Sequence, residues 1–296
     1  MKDKITVIKK QDASYPPLLK EIHNPPAQLY TRGNVEVLSQ QPMLAVVGSR
    51  KASVYGKQAL HKLLEPAVRS GLPLVSGLAH GIDGMAHRLC VEHGQPTIAV
   101  LGSGCDEPSL YPKAHQQLAR QITKCGGAIV SEYAPGTPGN PMRFPARNRI
   151  IAGLTEATLV VQAARRSGSL ITARLALESG RDVAAVPGMI TDDLSEGTNT
   201  LIQQGATPAL TARDIANLLG LSAGKQPEQL TLNLNKPQKI VMASMSASDP
   251  RHIEELADET DLPAPSLSVM LTELELLGAI EHIGGMKYIR KEFKDS

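Results

Sequence analysis

Three arginines and an asparagine lie within seven residues at positions 143–149, and the chain turns apolar directly afterwards. Between Gly139 and Arg174 there are six Arg, no Lys, no Asp and one Glu, a net charge of +5. The arginine guanidinium presents a planar fork of donors that matches phosphate oxygens. We therefore expect a concave, loop-built surface that binds phosphates, either of a small nucleotide or of a nucleic acid.

Other short segments combine glycine with residue types that bind anions. Gly48-Ser49-Arg50 follows one apolar run, a Gly-rich stretch containing Gly81 follows the next, and Lys113 follows a proline at an expected helix start. Ser167-Gly168-Ser169 stands at another expected helix start, beside two arginines. Glycine lets backbone approach an anion, and a helix N-terminus favours negative charge. Each segment could equally be an ordinary turn with an N-cap, as Asp83 suggests.

Aromatic residues are scarce, with two Phe, six Tyr and no Trp in the chain. Tyr111, Tyr133 and Phe144 nevertheless fall in the segments that carry the basic residues. They could stack on nucleic-acid bases or simply anchor the loops.

No segment matches a known catalytic or nucleotide-binding motif. Gly102 and Gly104 begin like a dinucleotide fingerprint, but Glu107 stands where the third glycine belongs. Cys105 has no ordered Cys–His–Asn framework, and His80 and His87 have no third ligand nearby. We expect no catalytic residue, no metal and no cofactor.

Short apolar runs alternate with segments of helical spacing after residue 42, which predicts a doubly wound, mostly parallel sheet. The runs are 44–47, 74–75, 97–101, 128–130, 158–161 and 183–186, and the helical patterns include 57–69, 82–92, 114–123 and 170–179. Ligands of such sheets bind at the carboxyl ends of the strands. Nearly all candidate residues directly follow a run, so the elements place them at one edge.

The sequence divides into four expected segments. Residues 1–35, rich in Pro and Tyr, predict an extended N-terminal arm, and residues 36–222 contain the doubly wound sheet domain. Residues 223–237 have linker composition. Residues 238–296 show three helical patterns and a hairpin, which predict a small C-terminal winged-helix-like domain.

The expected winged-helix domain is acidic where such domains usually contact DNA. Residues 249–276 hold eight acidic residues and one basic residue, and the expected recognition helix at 263–278 contains no Lys or Arg. DNA would repel this surface. We expect the domain to bind protein or to pack on the basic sheet domain; a merely solvated acidic face is the alternative.

Overall composition is that of a cytoplasmic protein without a membrane segment. The chain has 296 residues, a net charge of +2, and three cysteines, an odd number that fits no disulfide framework. No stretch approaches the ~18 apolar residues of a membrane helix, and no signal peptide is evident at the N-terminus.

Taken together and in order, these segments resemble the DNA-processing protein A (DprA/Smf) family, most specifically through Phe144–Leu154 and Ser167–Ala173. The resemblance covers about residues 43–210. It implies that residues 36–222 form an extended Rossmann-like DNA-binding domain. It further implies a homodimer that binds single-stranded DNA and loads RecA recombinase during natural transformation, with no enzymatic step. By motif match, Arg50 and Lys113 are the expected central DNA contacts. The other expected contacts are Gly48, Ser49, Gly81, Arg147, Arg149, Ser167, Gly168 and Ser169, of which Arg147 and Arg149 could instead brace the loops.

Two residues depart from the family pattern: His115 stands where Asn is usual, and Gln162 where Glu is common. The alternative is an enzyme similar to the nucleoside-monophosphate phosphoribohydrolases. Their Pro-Gly-Gly-x-Gly-Thr-x-x-Glu loop is incomplete here, because Met189 replaces the second Gly. Glu132 and Asp83 are the carboxylates available for acid–base chemistry, without an obvious partner base.

Overall fold

The computed structural model describes residues 4–221, 234–246, 249–260, 262–277 and 279–290. The chain divides into two compact units, Met1–Gly224 and Lys225–Ser296. Most of the expected linker at 223–237 lies outside the described residues.

The first unit alternates strands and helices. Its strands are β1 (Ile5–Lys9), β2 (Gln28–Gly33), β3 (Leu44–Val47), β4 (Leu74–Ser76), β5 (Thr97–Leu101), β6 (Ala128–Ser131), β7 (Ala157–Val160), β8 (Asp182–Ala185) and β9 (Thr207–Pro208). Its helices are α1 (Pro17–Glu21), α2 (Val54–Arg69), α3 (Ile82–Glu92), α4 (Gln116–Lys124), α5 (Arg143–Gly153), α6 (Gly168–Glu178), α7 (Glu196–Gln203) and α8 (Ala212–Leu218). Short 3₁₀ turns lie at Glu36–Ser39, Glu107–Ser109 and Lys113–His115.

All nine of these strands form one sheet in the order β1-β2-β6-β5-β4-β3-β7-β8-β9. The seven strands from β6 to β9 are parallel, while β1 and β2 add an antiparallel edge. The predicted doubly wound, mostly parallel sheet is confirmed. The chain builds outward from β3 to β6 and then returns to the other side of β3 with β7. The strand order therefore reverses beside β3, which is where such sheets open a ligand crevice.

The central strands are buried on both faces. Every residue of β3 and β5 is buried, as expected for parallel strands covered by helices on each side. Along β3, Ala45 and Val47 join one hydrophobic core, and Leu44 and Val46 join the other. This alternation follows from the two-residue period of a strand. The sheet is thus a rigid base for the loops at its carboxyl edge.

Two segments differ from the sequence expectation. Residues 5–33, expected within an extended arm at 1–35, instead form β1, α1 and β2, and β2 pairs with β6. The segment at 143–153, expected to be loop, is the helix α5, with Arg147 and Asn148 buried. Its proline lies in the first turn, where the missing N–H costs no helical hydrogen bond.

The second unit has three described helices, α9 (Lys236–Ala243), α10 (Ile253–Thr260) and α11 (Ala264–Leu276). Strands β10 (Arg251–His252), β11 (Ile280–Gly284) and β12 (Lys287–Arg290) form an antiparallel sheet in the order β10-β12-β11. Its own core is apolar and includes Val241, Leu256, Leu267 and Leu271. The helix α9 begins inside the end of the segment expected to be a linker.

In neither unit do the described residues include a helix long and apolar enough to cross a membrane.

Candidate nucleic-acid interface

The expected phosphate-binding residues gather at the carboxyl edge of the sheet and on α5. The loop after β3 carries Gly48, Ser49 and Arg50; Gly81 precedes α3; Lys113 follows β5; Ser167, Gly168 and Ser169 begin α6; and Arg147 and Arg149 lie on α5. Topology therefore brings together residues that are more than a hundred positions apart in sequence.

The loop after β3 is fixed between its two neighbours. The Ser49 amide donates to the Gln162 carbonyl at 2.7 Å, and the Ser49 carbonyl accepts from the Ile82 amide at 3.1 Å. Gly81 has a φ of +72°, and a Cβ there would lie 2.1 Å from the Ser49 carbonyl oxygen. Glycine is therefore required at position 81 by the turn and by this close approach. Its role is to set the position of Arg50.

Gln162, one of the two departures from the family pattern, links the β7 loop to the start of α2. Its Oε1 accepts from the Ser53 amide at 3.0 Å, and its Nε2 donates to the Ser53 hydroxyl at 2.9 Å. A carboxylate could accept both contacts but could not donate. The Ser53 hydroxyl oxygen also accepts from the Gly56 amide at 3.2 Å and so caps α2.

Two cations and two aromatic rings form what we call the cation–aromatic cluster: Arg50, Tyr111, Lys113 and Phe144. The Arg50 guanidinium carbon lies 5.7 Å from the Phe144 ring centroid. Phe144 stacks on Tyr111 with centroids 5.6 Å apart, and Tyr111 is 51% exposed. The exposed Lys113 follows two residues later, and its amine donates to the Pro108 carbonyl. This surface presents cations and an accessible ring side by side.

Arg143 extends the same surface; it is one of the three arginines noted at 143–149 but is not among the expected DNA contacts. Its guanidinium carbon lies 5.0 Å from the Tyr133 ring centroid, and its Nη1 donates to the Pro138 carbonyl at 2.8 Å. Burial raises the pKa of the Tyr133 hydroxyl, so this ring stays neutral. The cation–π contact orients Arg143 along the loop after β6.

Arg147 lies beneath this surface instead of on it. It is 5% exposed and donates to the Val100 carbonyl at the end of β5. A Cβ on Gly77 would lie 2.4 Å from its Nη1, so a residue with no side chain is needed there. Burial lowers the pKa of Arg147 to about 10, an effect that Asp83 opposes and Arg50 reinforces.

Asp83 is the buried counter-charge of Arg147. Its Oδ2 accepts from the Gly77 amide at 3.1 Å. Burial raises the pKa of this carboxyl, and the Arg147 guanidinium opposes that rise. Buried charges persist when they are paired and hydrogen-bonded. Arg147 and Asp83 together tie the end of β5 to the loop after β4.

The rest of α5 is tied to its surroundings in the same way. Arg149 is largely buried, and its Nη2 lies 2.5 Å from Oε1 of Glu132. Asn148 donates to the Gly168 carbonyl at 3.3 Å, which joins α5 to the start of α6. These contacts explain why α5 combines arginines with buried positions.

The start of α6 is capped by its own serines. The Ser167 hydroxyl accepts from the Ser169 amide at 3.3 Å and lies 2.7 Å from the Ser169 hydroxyl. Among the described residues, no hydrogen bond or ion pair joins this turn to Arg50 or Lys113. The α6 turn therefore lies at the same edge of the sheet as the cation–aromatic cluster, without a described hydrogen bond or ion pair to Arg50 or Lys113.

The candidate acid–base and nucleophilic groups are engaged or unreactive. Glu132 is paired with Arg149, and Asp83 is buried. Burial raises the pKa of the Cys105 thiol to about 11, which disfavours the thiolate. Within the described ranges, no group of three His, Cys, Asp or Glu side chains is arranged to hold a metal ion.

Comparison with known proteins agrees with the expected family. The family model for DNA recombination-mediator protein A matches residues 6–220, and the model for the DprA winged helix domain matches residues 225–286. The predicted winged-helix domain is thus confirmed. Protein Smf of Escherichia coli is 38% identical over 286 residues, covering 93% of this chain and 75% of that protein.

Solved structures give the same result. DNA processing protein A of Streptococcus pneumoniae superposes with a TM-score of 0.67 at 42% identity, over 72% of this chain and 74% of that one. DNA processing protein A of Helicobacter pylori, described structurally for its single-stranded DNA binding mode, gives 0.66 at 27% identity, over 74% and 98%. The chain belongs to the DNA recombination-mediator protein A (DprA/Smf) family.

Proposed function

We propose that this protein binds single-stranded DNA across the carboxyl edge of its sheet and delivers the strand to a recombinase. The observation that supports this most is the cation–aromatic cluster. Arg50 lies over the ring of Phe144, Phe144 stacks on Tyr111, and the exposed Lys113 follows Tyr111 by two residues. The Helicobacter pylori relative binds single-stranded DNA. By the family's role, we infer that the strand is incoming DNA during natural transformation.

The charges of Arg50 and Lys113 are available to phosphates. Among the described residues, neither has a carboxylate within ion-pair distance, whereas Arg149 is paired with Glu132 and Arg120 with Glu107. Each phosphate neutralised on a single strand releases counterions, which steepens the dependence of log K on log salt by about 0.7. Two such contacts per subunit make DNA affinity modest and salt-dependent. A homodimer would double the number of phosphate contacts on one strand.

Tyr111 offers a ring on which a DNA base can stack, a contact separate from those that cations make to the phosphates. Phe144 packs beneath it, close enough to Gly102 that a Cβ there would lie 2.8 Å from the ring. Phe144 is therefore the anchor, and the exposed face of Tyr111 is free to stack on a base. Every base has a π-face, so stacking of this kind carries little sequence preference. We infer binding that is largely independent of sequence.

Arg147 and Arg149 act as braces in this proposal, because both are held by internal partners. Of the two helix starts near the cluster, α3 uses its Ile82 and Gly84 amides for internal hydrogen bonds. The glycine at the start of α6, Gly168, has open space where a side chain would be. A phosphate at this edge therefore has better access to the start of α6.

We infer no catalytic step, since Glu132 is paired with Arg149 and Asp83 is buried and accepts from the Gly77 amide, so neither is free to move a proton at the cluster. Coating a strand would by itself exclude RecA. A direct protein contact is therefore needed for hand-over, and the acidic second unit is suited to a protein partner better than to DNA. The proposed setting is the cytoplasm, where RecA acts.

Fluorescence anisotropy of a labelled oligo-dT strand over a salt series tests the proposal. We expect Arg50→Ala/Lys113→Ala to weaken binding at least tenfold near 0.1 M salt and to flatten the salt slope by about 1.4. Arg69→Ala/Lys124→Ala is the matched control, because both residues end helices that return to the opposite edge of the sheet. Equal slopes for the two double variants would contradict the proposed site.

A chain ending at Gly224 tests the role of the second unit. Because residues 249–276 carry a net charge of −7, removing them takes away no DNA contact. We expect oligo-dT binding equal to that of the full chain, or tighter. Much weaker binding by the shortened chain would show that the second unit itself holds DNA.

A further inference from the structure

Three basic side chains meet beyond Lys113, outside the cation–aromatic cluster. His115 lies in the same 3₁₀ turn as Lys113, and its ring centroid is 4.9 Å from that of His80. Arg88 of α3 places its Nη2 3.3 Å from the His115 Nε2. His115 is buried, whereas Arg88 and His80 are exposed.

The hydrogen bonds of His115 fix its protonation. Nδ1 lies 2.8 Å from the Leu78 carbonyl, which can only accept, so Nδ1 carries the proton. In the neutral ring Nε2 is then an acceptor, as the Arg88 guanidinium requires. Burial lowers the pKa of His115, the hydrogen bond to the Leu78 carbonyl opposes this, and the neighbouring Arg88 guanidinium lowers it further. The ring is therefore neutral and holds Arg88 without cancelling its charge.

The positive charge of Arg88 is available to bind an anion. Among the described residues no carboxylate lies within ion-pair distance of it, in contrast to Arg69 with Glu65 and Arg120 with Glu107. The helix approaches the ring closely at Gly84, where a Cβ would lie 2.7 Å from the His115 Cε1. A guanidinium that is exposed, unpaired and already oriented loses little side-chain entropy on binding an anion.

We propose that Arg88, positioned by His115, binds a further backbone phosphate of single-stranded DNA next to the one at Lys113. This inference rests on the proposed function. A shorter side chain at position 115 would not reach both the Leu78 carbonyl and Arg88. The proposed phosphate contacts are thus Arg50, Lys113 and Arg88, the last of which lies on α3.

Anisotropy of labelled oligo-dT over a salt series, with the full chain, tests the contact. We expect Arg88→Ala to flatten the salt slope by about 0.7 and to weaken binding several-fold at 0.1 M salt. Arg88→Lys keeps the charge and restores most of the slope. Arg120→Ala, which removes an exposed arginine already paired with Glu107, is the control and leaves the slope unchanged.

A double-mutant cycle tests the positioning by His115. We expect His115→Asn to weaken binding in the wild-type background and to have no further effect beside Arg88→Ala. Independent, additive losses would overturn the role of His115, and a wild-type slope for Arg88→Ala would overturn the contact. Absence of oligo-dT binding by the wild type would overturn the proposed function as well, so the two failures are distinguishable. Because Arg88 is exposed, its substitution leaves the fold intact.

Discussion

Replacing Arg147 with methionine distinguishes a buried brace from a DNA contact. Methionine keeps the length and the packing of the aliphatic stem but removes the guanidinium. The Val100 carbonyl then loses a donor, and Asp83 remains buried without its counter-charge. If Arg147 braces the loops, stability falls; if it binds phosphate, the salt slope of DNA binding falls instead.

The size of the effect follows from burial. Leaving a buried carboxylate without its counter-charge, and a buried carbonyl without its donor, typically costs about 3–5 kcal/mol. We expect Arg147→Met to lower the free energy of unfolding by about 3 kcal/mol. Asp83→Asn/Arg147→Met removes both charges, so its loss should be clearly smaller than the sum of the two single losses.

Urea unfolding at pH 7 measures the stability, and oligo-dT anisotropy over a salt series measures the contact. Arg174→Met is the control, because Arg174 is exposed and paired only with Glu178 on the same helix; its cost should stay within about 0.5 kcal/mol. We expect Arg147→Met to keep the wild-type salt slope. Unchanged stability together with a slope flattened by about 0.7 would refute the brace and make Arg147 a phosphate contact.

Three further outcomes are expected. Tyr111→Ala should weaken oligo-dT binding by about 1–3 kcal/mol in anisotropy titrations without changing the salt slope; a changed slope would speak against stacking. Gly81→Ala, strained by its φ of +72° and by contact with the Ser49 carbonyl, should lower both the melting temperature and DNA affinity, and a neutral result would contradict the turn geometry. Burial lowers the pKa of His87 to about 3, so below about pH 6.5 the unfolded chain binds a proton that the folded chain excludes. The His87 contribution should therefore lower stability by about 2 kcal/mol from pH 7 to pH 5 in urea titrations, and His87→Gln should remove that part of the pH dependence.

The parallel sheet could be predicted because its strands are short and wholly apolar. Runs such as 44–47 and 97–101 are buried on both faces, so their composition alone distinguishes them from the amphipathic segments between them. In a parallel sheet the carboxyl ends of all strands lie at one edge. Because Arg50 and Lys113 come after the carboxyl ends of their strands, the strand assignment alone places both residues at that edge. The position of the site therefore follows from local pattern and topology.

The roles of individual side chains depended on contacts that sequence does not display. Arg147 and Asp83 are 64 positions apart, and no local pattern reveals that they share a buried environment. Edge strand β1 has both exposed and buried residues in no strict alternation, so its pairing with β2 leaves a weak signal. Arg88 lacks a motif of its own and gains its position only through His115.

Photocrosslinking with 5-iodouracil placed along an oligo-dT strand, followed by mass spectrometry of the adducts, tests the central claim most directly. Iodouracil crosslinks to aromatic side chains on which it stacks. The account predicts adducts on Tyr111, whose ring is exposed beside Arg50 and Lys113, and their loss in Arg50→Ala/Lys113→Ala. Adducts confined to Tyr288 of the second unit, or unaffected by the double substitution, would contradict binding at the carboxyl edge of the sheet.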